Sequence, residues 1–343
     1  MAKTINIWDS DLMPATKDHQ DILWQTYIES KNDKIVSIPR LVEQNSVILK
    51  KIYLAWIFNL GESVVLGKRV VDHLELCPGF SFWWMTLISE KLNYSSSPQI
   101  TTAIRLLAFD LWIRDKSVDS ITLSSENLVL AKCIEQWCLE RGVLFSWLRT
   151  SSKKPSVTIG RKIYKFFPNI IKAFGQFIRR VWTCWPLRGV GLESWKRSNG
   201  EISFFSYFFN LDQTGDWRGE FKSKFWTTLP DELSKKDCKT NWLHIYCVDP
   251  SHPTAKHAKV KLEYFNEMNG GNQIHTSLES FLSLPVMLRA LRDWFGVLKF
   301  AKILEPVVSK VDADGVNFWP LFKEEWHSSF SGPSSINSIL NFN

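Results

Sequence analysis

Two aspartates directly follow the first apolar segment of the chain. Residues Thr4–Trp8 alternate as a β-strand does, and Asp9 and Asp11 come next with one residue between them. Carboxylates at the carboxyl end of a strand in an α/β sheet lie where ligands bind. We therefore expect Asp9 to act as a catalytic base and Asp11 to bind substrate, and such a pair also suits a divalent cation that bridges phosphates. The alternative is that both side chains only cap a turn.

Three residues further along the chain fit the same kind of chemistry. His244 lies within a predicted strand and is a candidate general base, the alternative being a half-buried structural histidine. Glu279, at the start of a predicted helix, is a third catalytic candidate, although an acid in a first turn also favours the helix dipole. Arg289 on that helix is the candidate for binding a pyrophosphate, or else it lies on the solvent face.

Positive charge is concentrated in one segment. Arg141 to Leu192 contains eleven Lys and Arg residues and no Asp or Glu, whereas the rest of the chain has a small excess of acids. From Arg161 to Trp185 the apolar residues recur every three to four positions, which predicts a helix with one apolar face. Pro168 is expected to start this helix or to kink a longer one. The predicted membrane-binding residues are Lys162, Lys165, Lys172, Arg179, Arg180, Trp182 and Trp185.

Large apolar side chains opposite Lys and Arg are typical of a helix that lies in the headgroup plane of an anionic membrane. The segment is too rich in charge to span a bilayer. Two alternatives remain: the aromatic side chains pack inside the protein and leave a solvated basic face, or the basic stretch binds nucleic acid. Because the aromatic spacing fits lipid better, we expect an anionic membrane surface as partner and no nucleic acid.

The composition of the 343 residues is that of a globular protein large enough for two domains. The amino terminus lacks the apolar run of a secretory signal, so we expect a cytoplasmic protein. The six cysteines have no C-x-x-C pair and no spacing to histidine typical of zinc. We therefore predict reduced thiols, no metal and no bound cofactor.

Alternation of short apolar runs with longer helical patterns favours an α/β architecture. The predicted strands are Thr4–Trp8, Ser63–Leu66, Ser120–Leu123, Val143–Trp147, Ile202–Phe209 and Trp242–Cys247. The predicted helices are Arg40–Phe58, Gly79–Lys91, Ile100–Arg114, Glu126–Arg141, Ala255–Met268 and Leu278–Phe300, with short helices after Pro320 and Pro333. Ile202–Phe209 is apolar on both faces, which predicts a buried central strand.

Polar and glycine-containing stretches divide this pattern into three parts. The run Thr150–Ser156 breaks the periodicity before the basic helix, and Gly189 and Gly191 follow it. We predict an N-terminal α/β domain over residues 1–150, a basic amphipathic linker over 151–192, and a second α/β domain over 193–343.

Several stretches together resemble a family of bacterial surface carbohydrate biosynthesis proteins of the O-antigen type, which are similar to GT-B glycosyltransferases. They are Cys77–Leu87 with Glu90 and Lys91, Phe204–Asn210, Asn241–His244, Leu278–Leu284, Asn317–Leu321 and Trp326 with Ser329–Pro333. The resemblance implies two Rossmann-like α/β units joined by the basic helix, as in the N-terminal part of a GT-B protein. It also implies that a further donor-binding half follows in such proteins, either in a longer chain or in a partner subunit.

On this resemblance the protein acts at the cytoplasmic face of the membrane on a lipid-linked glycan acceptor, with a nucleotide sugar as co-substrate. A carboxylate or histidine would deprotonate the acceptor hydroxyl, and basic groups would stabilise the departing diphosphate. The alternative is a non-catalytic scaffold at the membrane that binds a glycan or a partner transferase.

Overall fold

The structure, a computed structural model, is of the α/β class and describes residues 4–9, 20–29, 34–90, 97–150, 167–212, 221–268 and 271–343. Asp11, Lys162 and Lys165 lie outside the described residues. The chain divides into two compact units. Unit 1 comprises Met1–Pro168 and Gly296–Gly332, and unit 2 comprises Asn169–Phe295 and Pro333–Asn343. The chain passes between the units at three positions, and the first of them, after Pro168, lies within the predicted linker over residues 151–192.

Unit 1 contains a five-stranded sheet in which every neighbouring pair is parallel. Its strands are β1 (Thr4–Trp8), β2 (Gln20–Leu23), β3 (Ile35–Ser37), β8 (Ser120–Ser125) and β9 (Leu144–Arg149). Their spatial order is β3-β2-β1-β8-β9. The order therefore reverses between β1 and β8, as in Rossmann-like sheets, and this is the position where such sheets open a crevice at their carboxyl edge.

The remaining elements of unit 1 are helices and two short hairpins. The helices are α1 (Ile38–Gln44), α2 (Ser46–Glu62), α3 (Val70–His73), α4 (Pro98–Ile113), α5 (Leu128–Arg141) and, near the carboxyl end, α11 (Trp319–Ser331). The hairpins pair β4 (Val64–Val65) with β5 (Lys68–Arg69) and β6 (Glu75–Cys77) with β7 (Phe80–Ser81). Local signals explain α5: the Asn127 side chain accepts from the first free N–H groups, and Gly142 ends the helix in the left-handed conformation.

Unit 2 contains a smaller parallel sheet with the order β10-β11-β12. Its strands are β10 (Ile202–Tyr207), β11 (Thr240–Ile245) and β12 (Gln273–Ser277). Its helices are α6 (Asn169–Cys184), α7 (Leu192–Lys196), α8 (Leu229–Lys235), α9 (Ala255–Met268) and α12 (Pro333–Phe342), and α10 (Leu284–Val308) begins in this unit. Helix α12 packs against α6, and α9 packs against β12.

The predicted helix over Gly79–Lys91 is wrong. The chain forms β7 and then a single 3-10 turn, Phe82–Met85. The hydroxyls of Thr86 and Ser89 both donate to the carbonyl oxygen of Trp83, at 2.7 Å each. Short polar side chains that bind the backbone in this way compete with helix continuation.

Two further expectations change. Ile202–Phe209 is not a central strand: β10 is an edge strand of the sheet, and its alternate side chains Phe205 and Tyr207 are exposed. The predicted helix Leu278–Phe300 is divided into a 3-10 turn, Leu278–Phe281, and the longer α10. The strands Thr4–Trp8 and Ser120–Leu123 and the helix Ala255–Met268 are confirmed.

Candidate functional site

In unit 1 the carboxyl ends of β1 and β8 hold Asp9 in a fixed position. One carboxylate oxygen of Asp9 accepts from the Ser125 hydroxyl at 2.5 Å, and the other accepts from the Gln25 side-chain amide at 2.7 Å. The Asp9 N–H donates to the carbonyl oxygen of Ser124. Asp9 therefore lies at the carboxyl end of β1, beside the point where the strand order reverses.

A cation near this aspartate was not anticipated from the sequence. Arg105, on α4, is half-buried, and burial lowers its pKa while the charge of Asp9 opposes that shift. Arg105 forms no hydrogen bond or ion pair with the described residues. The Asp9 carboxylate is thus held by a hydroxyl and an amide, and the charge of Arg105 is near enough to interact with it. A carboxylate in this position is suited to accept a proton from a polar ligand.

His244 does not face solvent. It is completely buried in unit 2, where its Nε2 lies 3.1 Å from Nδ1 of His275. The rings of Phe208 and Phe221 meet it edge-on, and Trp242 stacks in the same column. Burial lowers the pKa of both histidines, so both are neutral at pH 7. In this structure His244 is a core side chain that no acceptor hydroxyl in solvent can reach.

Glu279 is also buried, and its partner is a residue that the sequence assigned to the membrane. Arg180 Nη2 on α6 lies 3.0 Å from Glu279 Oε1, and the N–H of Tyr246 donates to Oε2 at 3.3 Å. Burial raises the pKa of Glu279, and the charge of Arg180 opposes this shift. The pair anchors α6 to the 3-10 turn after β12, which gives Glu279 and Arg180 a structural role in common.

A cavity of about 410 Å³ opens beside this ion pair, next to the carboxyl end of β11. One wall is the polar flank of α6, with Arg179 and Arg180, and the other is formed by the chain from Tyr246 to the start of α9. The full lining is Gln176, Arg179, Arg180, Thr183, Cys184, Tyr246, Cys247, Val248, Pro253, Thr254, Ala255 and Asn337. Asp249, in the same loop, accepts from the N–H groups of Ser251 and His252 and caps the turn.

Helix α6 presents a second, apolar face that does not pack inside unit 2. At about 100° per residue, its exposed apolar side chains fall within an arc of roughly 120°. They are Ile170, Ile171, Phe174, Ile178 and Trp182, followed by Trp185 in the next turn. Trp182 is 82% exposed. The buried stripe of the helix, with Ala173 and Phe177, separates this face from the cavity that contains Arg179.

The exposed apolar face continues beyond α6. A groove of about 600 Å³ is lined by Phe177, Ile178, Val181, Trp182, Trp185, Pro186 and Met287, the last of which lies on α10. Leu284 and Leu288, one helical turn apart on α10, are also exposed. Among the described residues, no helix is long and apolar enough to cross a membrane.

The remaining predicted residues lie apart from these features. Arg289 is exposed on α10 and lines neither the cavity nor the groove. Lys172 lies on the polar side of α6. Over the part of the chain that the structure describes, no group of three or more His, Cys, Asp or Glu residues is arranged to hold a metal ion.

Several residues that form these sites were not predicted from the sequence. Gln25 and Ser125 come together with Asp9 only through the parallel pairing of β1 with its neighbours. Arg105 is on α4. His275 lies in β12, whose polar sequence hides a strand that is largely buried. For Ser125 a signal existed, because it lies two residues after the predicted strand Ser120–Leu123.

Comparison of the chain with models of known protein families, with curated proteins and with solved structures finds no match. The class that the structure defines is therefore an α/β protein with parallel sheets in both units.

Proposed function

We propose that this protein is a peripheral membrane protein of surface polysaccharide biosynthesis that is glycosyltransferase-like and acts on a lipid-linked glycan at the inner face of the cytoplasmic membrane. The observation that carries the proposal is the exposed apolar face of α6, which ends in Trp182 and Trp185. A monomeric soluble protein rarely leaves such a contiguous patch uncovered. The basic residues of the same segment supply the attraction to anionic lipid.

The magnitudes are adequate for reversible binding. Each Lys or Arg close to an anionic leaflet contributes about 1 kcal/mol, and each large apolar side chain that leaves water contributes about 1.5–3 kcal/mol. Two or three inserted side chains and about three basic residues together contribute roughly 6–12 kcal/mol. This is comparable with the entropy lost on docking, of order 4–15 kcal/mol, as expected for weak and reversible binding. The exposure of the α6 aromatics also disfavours the alternative in which they pack inside the protein.

The enzymatic part of the proposal rests on unit 1 and on the family resemblance. Asp9 is half-buried at the carboxyl edge of a Rossmann-like sheet, and we assign it the role of base toward an acceptor hydroxyl. Ser125 and Gln25 fix the orientation of its carboxylate, and Arg105 is near enough to interact with its charge. His244 and Glu279 have no catalytic role in this proposal, because both are buried.

Vesicle sedimentation tests the membrane part. The full chain should sediment with vesicles that contain anionic lipid and should stay in solution with purely zwitterionic vesicles. Lys162→Gln/Lys165→Gln should weaken this binding, and Lys50→Gln/Lys51→Gln, which removes the same charge from exposed positions on α2, should not. Equal binding to both kinds of vesicle, or equal effects of the two variants, would contradict a specific anionic contact.

A binding assay tests the enzymatic part. At least one member of a panel of UDP-, GDP- and CMP-sugars should bind the wild-type chain. In an assay of transfer from that sugar to a glycan acceptor, Asp9→Asn should remove the activity while the protein stays folded. The matched control is Asp115→Asn, since Asp115 is exposed and forms no hydrogen bond or ion pair with the described residues. Membrane binding without binding of any nucleotide sugar would favour the non-catalytic scaffold.

A further inference from the structure

The cavity on the polar flank of α6 has the charge of an anion site. Two arginines line it, and no Asp or Glu is among its lining residues. Glu279 pairs with Arg180 behind the cavity, and Asp249, in the loop of the opposite wall, caps its own turn. Arg179 is exposed and forms no ion pair with the described residues. The positive charge in this wall is therefore available to a ligand.

Arg180, the second arginine of the cavity, is held in a fixed position by hydrogen bonds from its Nη2. Its Nη2 donates to Glu279 and to the side-chain oxygen of Asn341, at 3.0 and 3.4 Å. Its Nε and Nη1 donate no hydrogen bond to the described residues. The Glu279 carboxylate already fixes this guanidinium, and its other N–H donors are free. Binding of an anion therefore costs little further side-chain entropy.

The opposite wall adds backbone donors. Helix α9 has 14 residues and starts at the cavity with Thr254 and Ala255. The first N–H groups of a helix have no partner within the helix, and they carry the positive end of its dipole. The Thr183 hydroxyl, on the α6 wall, donates to the carbonyl oxygen of Arg179. The Thr254 hydroxyl accepts from the N–H of His257, so the helix donors that remain are the N–H groups before His257. The donors of two arginines and of a helix start thus surround one space.

We propose that this cavity binds a diphosphate group. Its volume of about 410 Å³ is in the range of small-molecule sites, which is more than inorganic phosphate needs and enough for a diphosphate with part of an attached group. Paired arginines and backbone N–H groups are the donors that bind phosphoryl oxygens in proteins. The site takes a diphosphate either from a soluble nucleotide or from the headgroup of a lipid.

The cavity and the apolar face lie on two flanks of the same helix, separated by its buried stripe. A docked α6 would therefore hold the cavity close to the membrane surface. This inference adds a ligand class to the proposed function and rests on it for the biological source of the diphosphate. The two can fail separately, because binding of a soluble anion requires no membrane.

Calorimetric titration of the full chain with inorganic pyrophosphate, without lipid, tests the inference. Saturable binding is expected, and Arg179→Gln should weaken it about tenfold, the effect of about 1.4 kcal/mol from one lost charge-assisted contact. The control is Arg188→Gln, which removes the same charge from a residue that stacks on Trp185 and does not line the cavity. It should leave the affinity unchanged.

The same titration distinguishes the two sources. UDP that binds at least tenfold more tightly than pyrophosphate assigns the site to a nucleotide. The second comparison uses vesicles that contain a polyprenyl diphosphate and vesicles of equal charge without it. If the first kind binds more wild-type protein, and Arg179→Gln removes this difference, the site is assigned to a lipid. No saturable binding of pyrophosphate at low salt, or equal weakening by Arg179→Gln and Arg188→Gln, would overturn the inference.

Discussion

Arg180 and Glu279, 99 residues apart in the chain, form an ion pair that fixes helix α6 to the turn after β12. The Glu279 side chain is 3% exposed and that of Arg180 is 24% exposed, and their closest N and O atoms are 3.0 Å apart. Glu279 also accepts from the N–H of Tyr246, so that the pair connects α6 with the ends of two strands. This anchor sets which face of α6 is turned outward.

Removing the arginine should destabilise unit 2. Arg180→Gln leaves the Glu279 carboxylate buried without a cation, which costs about 3 kcal/mol of unfolding free energy at pH 7.5, the lower end of the range for a broken buried pair. Arg179→Gln, one residue away and exposed, should change stability by less than about 0.5 kcal/mol. Urea unfolding of both variants measures the difference, and equal midpoints would show that the ion pair contributes nothing.

The buried histidines should make stability depend on pH. His244 and His275 have lowered pKa values in the folded protein, whereas an unfolded histidine has a pKa near 6.5. Below about pH 6.5 the unfolded chain therefore binds more protons, and the free energy of unfolding falls as the pH falls. Glu279 and Glu325, whose pKa values are raised, act in the opposite direction and reduce the slope.

We expect a loss of about 2 kcal/mol between pH 7 and pH 5.5, measured by urea unfolding at each pH. Nuclear magnetic resonance of the imidazole protons checks the cause. The signals of His244 and His275 should not titrate in this range. Titration of either ring near pH 6.5, or a stability that does not fall below pH 7, would contradict the buried neutral pair.

Two neighbouring glycines provide a matched test of the packing around β12. Both Gly189 and Gly191 have a positive φ, of 79° and 66°. A methyl group at Gly191 would overlap the carbonyl oxygen of His275, whereas a methyl group at Gly189 meets nothing within 4 Å. Gly189→Ala should therefore lower the free energy of unfolding only by the cost of placing alanine in the left-handed conformation, about 1–2 kcal/mol. Gly191→Ala should lower the free energy of unfolding by more than about 3 kcal/mol or prevent folding, because the backbone at His275 or at residue 191 must move to make room for the methyl group.

Thermal unfolding of the two variants compares these costs. If Gly191→Ala melted at the same temperature as Gly189→Ala, the close approach of residue 191 to β12 would be wrong.

Secondary-structure elements that depend on local periodicity could be predicted from the sequence. Elements that depend on contacts with residues far along the chain could not. The amphipathic pattern of α6 repeats over a few helical turns, and the alternation of β1 is seen within a few residues. Both elements form in the structure. The 3-10 turn at Phe82–Met85 was missed because the hydroxyls of Thr86 and Ser89 bind the backbone and outweigh apolar spacing. β12 was missed because its sequence is polar, and its backbone is paired by contacts that only the folded unit supplies, such as those of the Asn266 side chain with the N–H and carbonyl oxygen of His275.

The candidate site shows the same limit. Asp9 was found because it follows a strand, but its partners Ser125 and Gln25 depend on which strands are neighbours. Glu279 and Arg180 were each singled out for chemistry with a ligand or lipid, and the structure instead pairs them. Sequence spacing cannot reveal an ion pair between residues 99 positions apart.

The most direct test of the central claim compares two sets of exposed side chains in binding to anionic vesicles. Ile178→Ser/Trp182→Ser removes apolar surface from the outer face of α6, and Trp84→Ser removes a tryptophan that is 57% exposed in unit 1. If α6 inserts its apolar face, the double variant should lose at least tenfold in partition to vesicles, and Trp84→Ser should bind as the wild type does. Wild-type binding by the double variant, with the protein folded, would contradict membrane docking through α6.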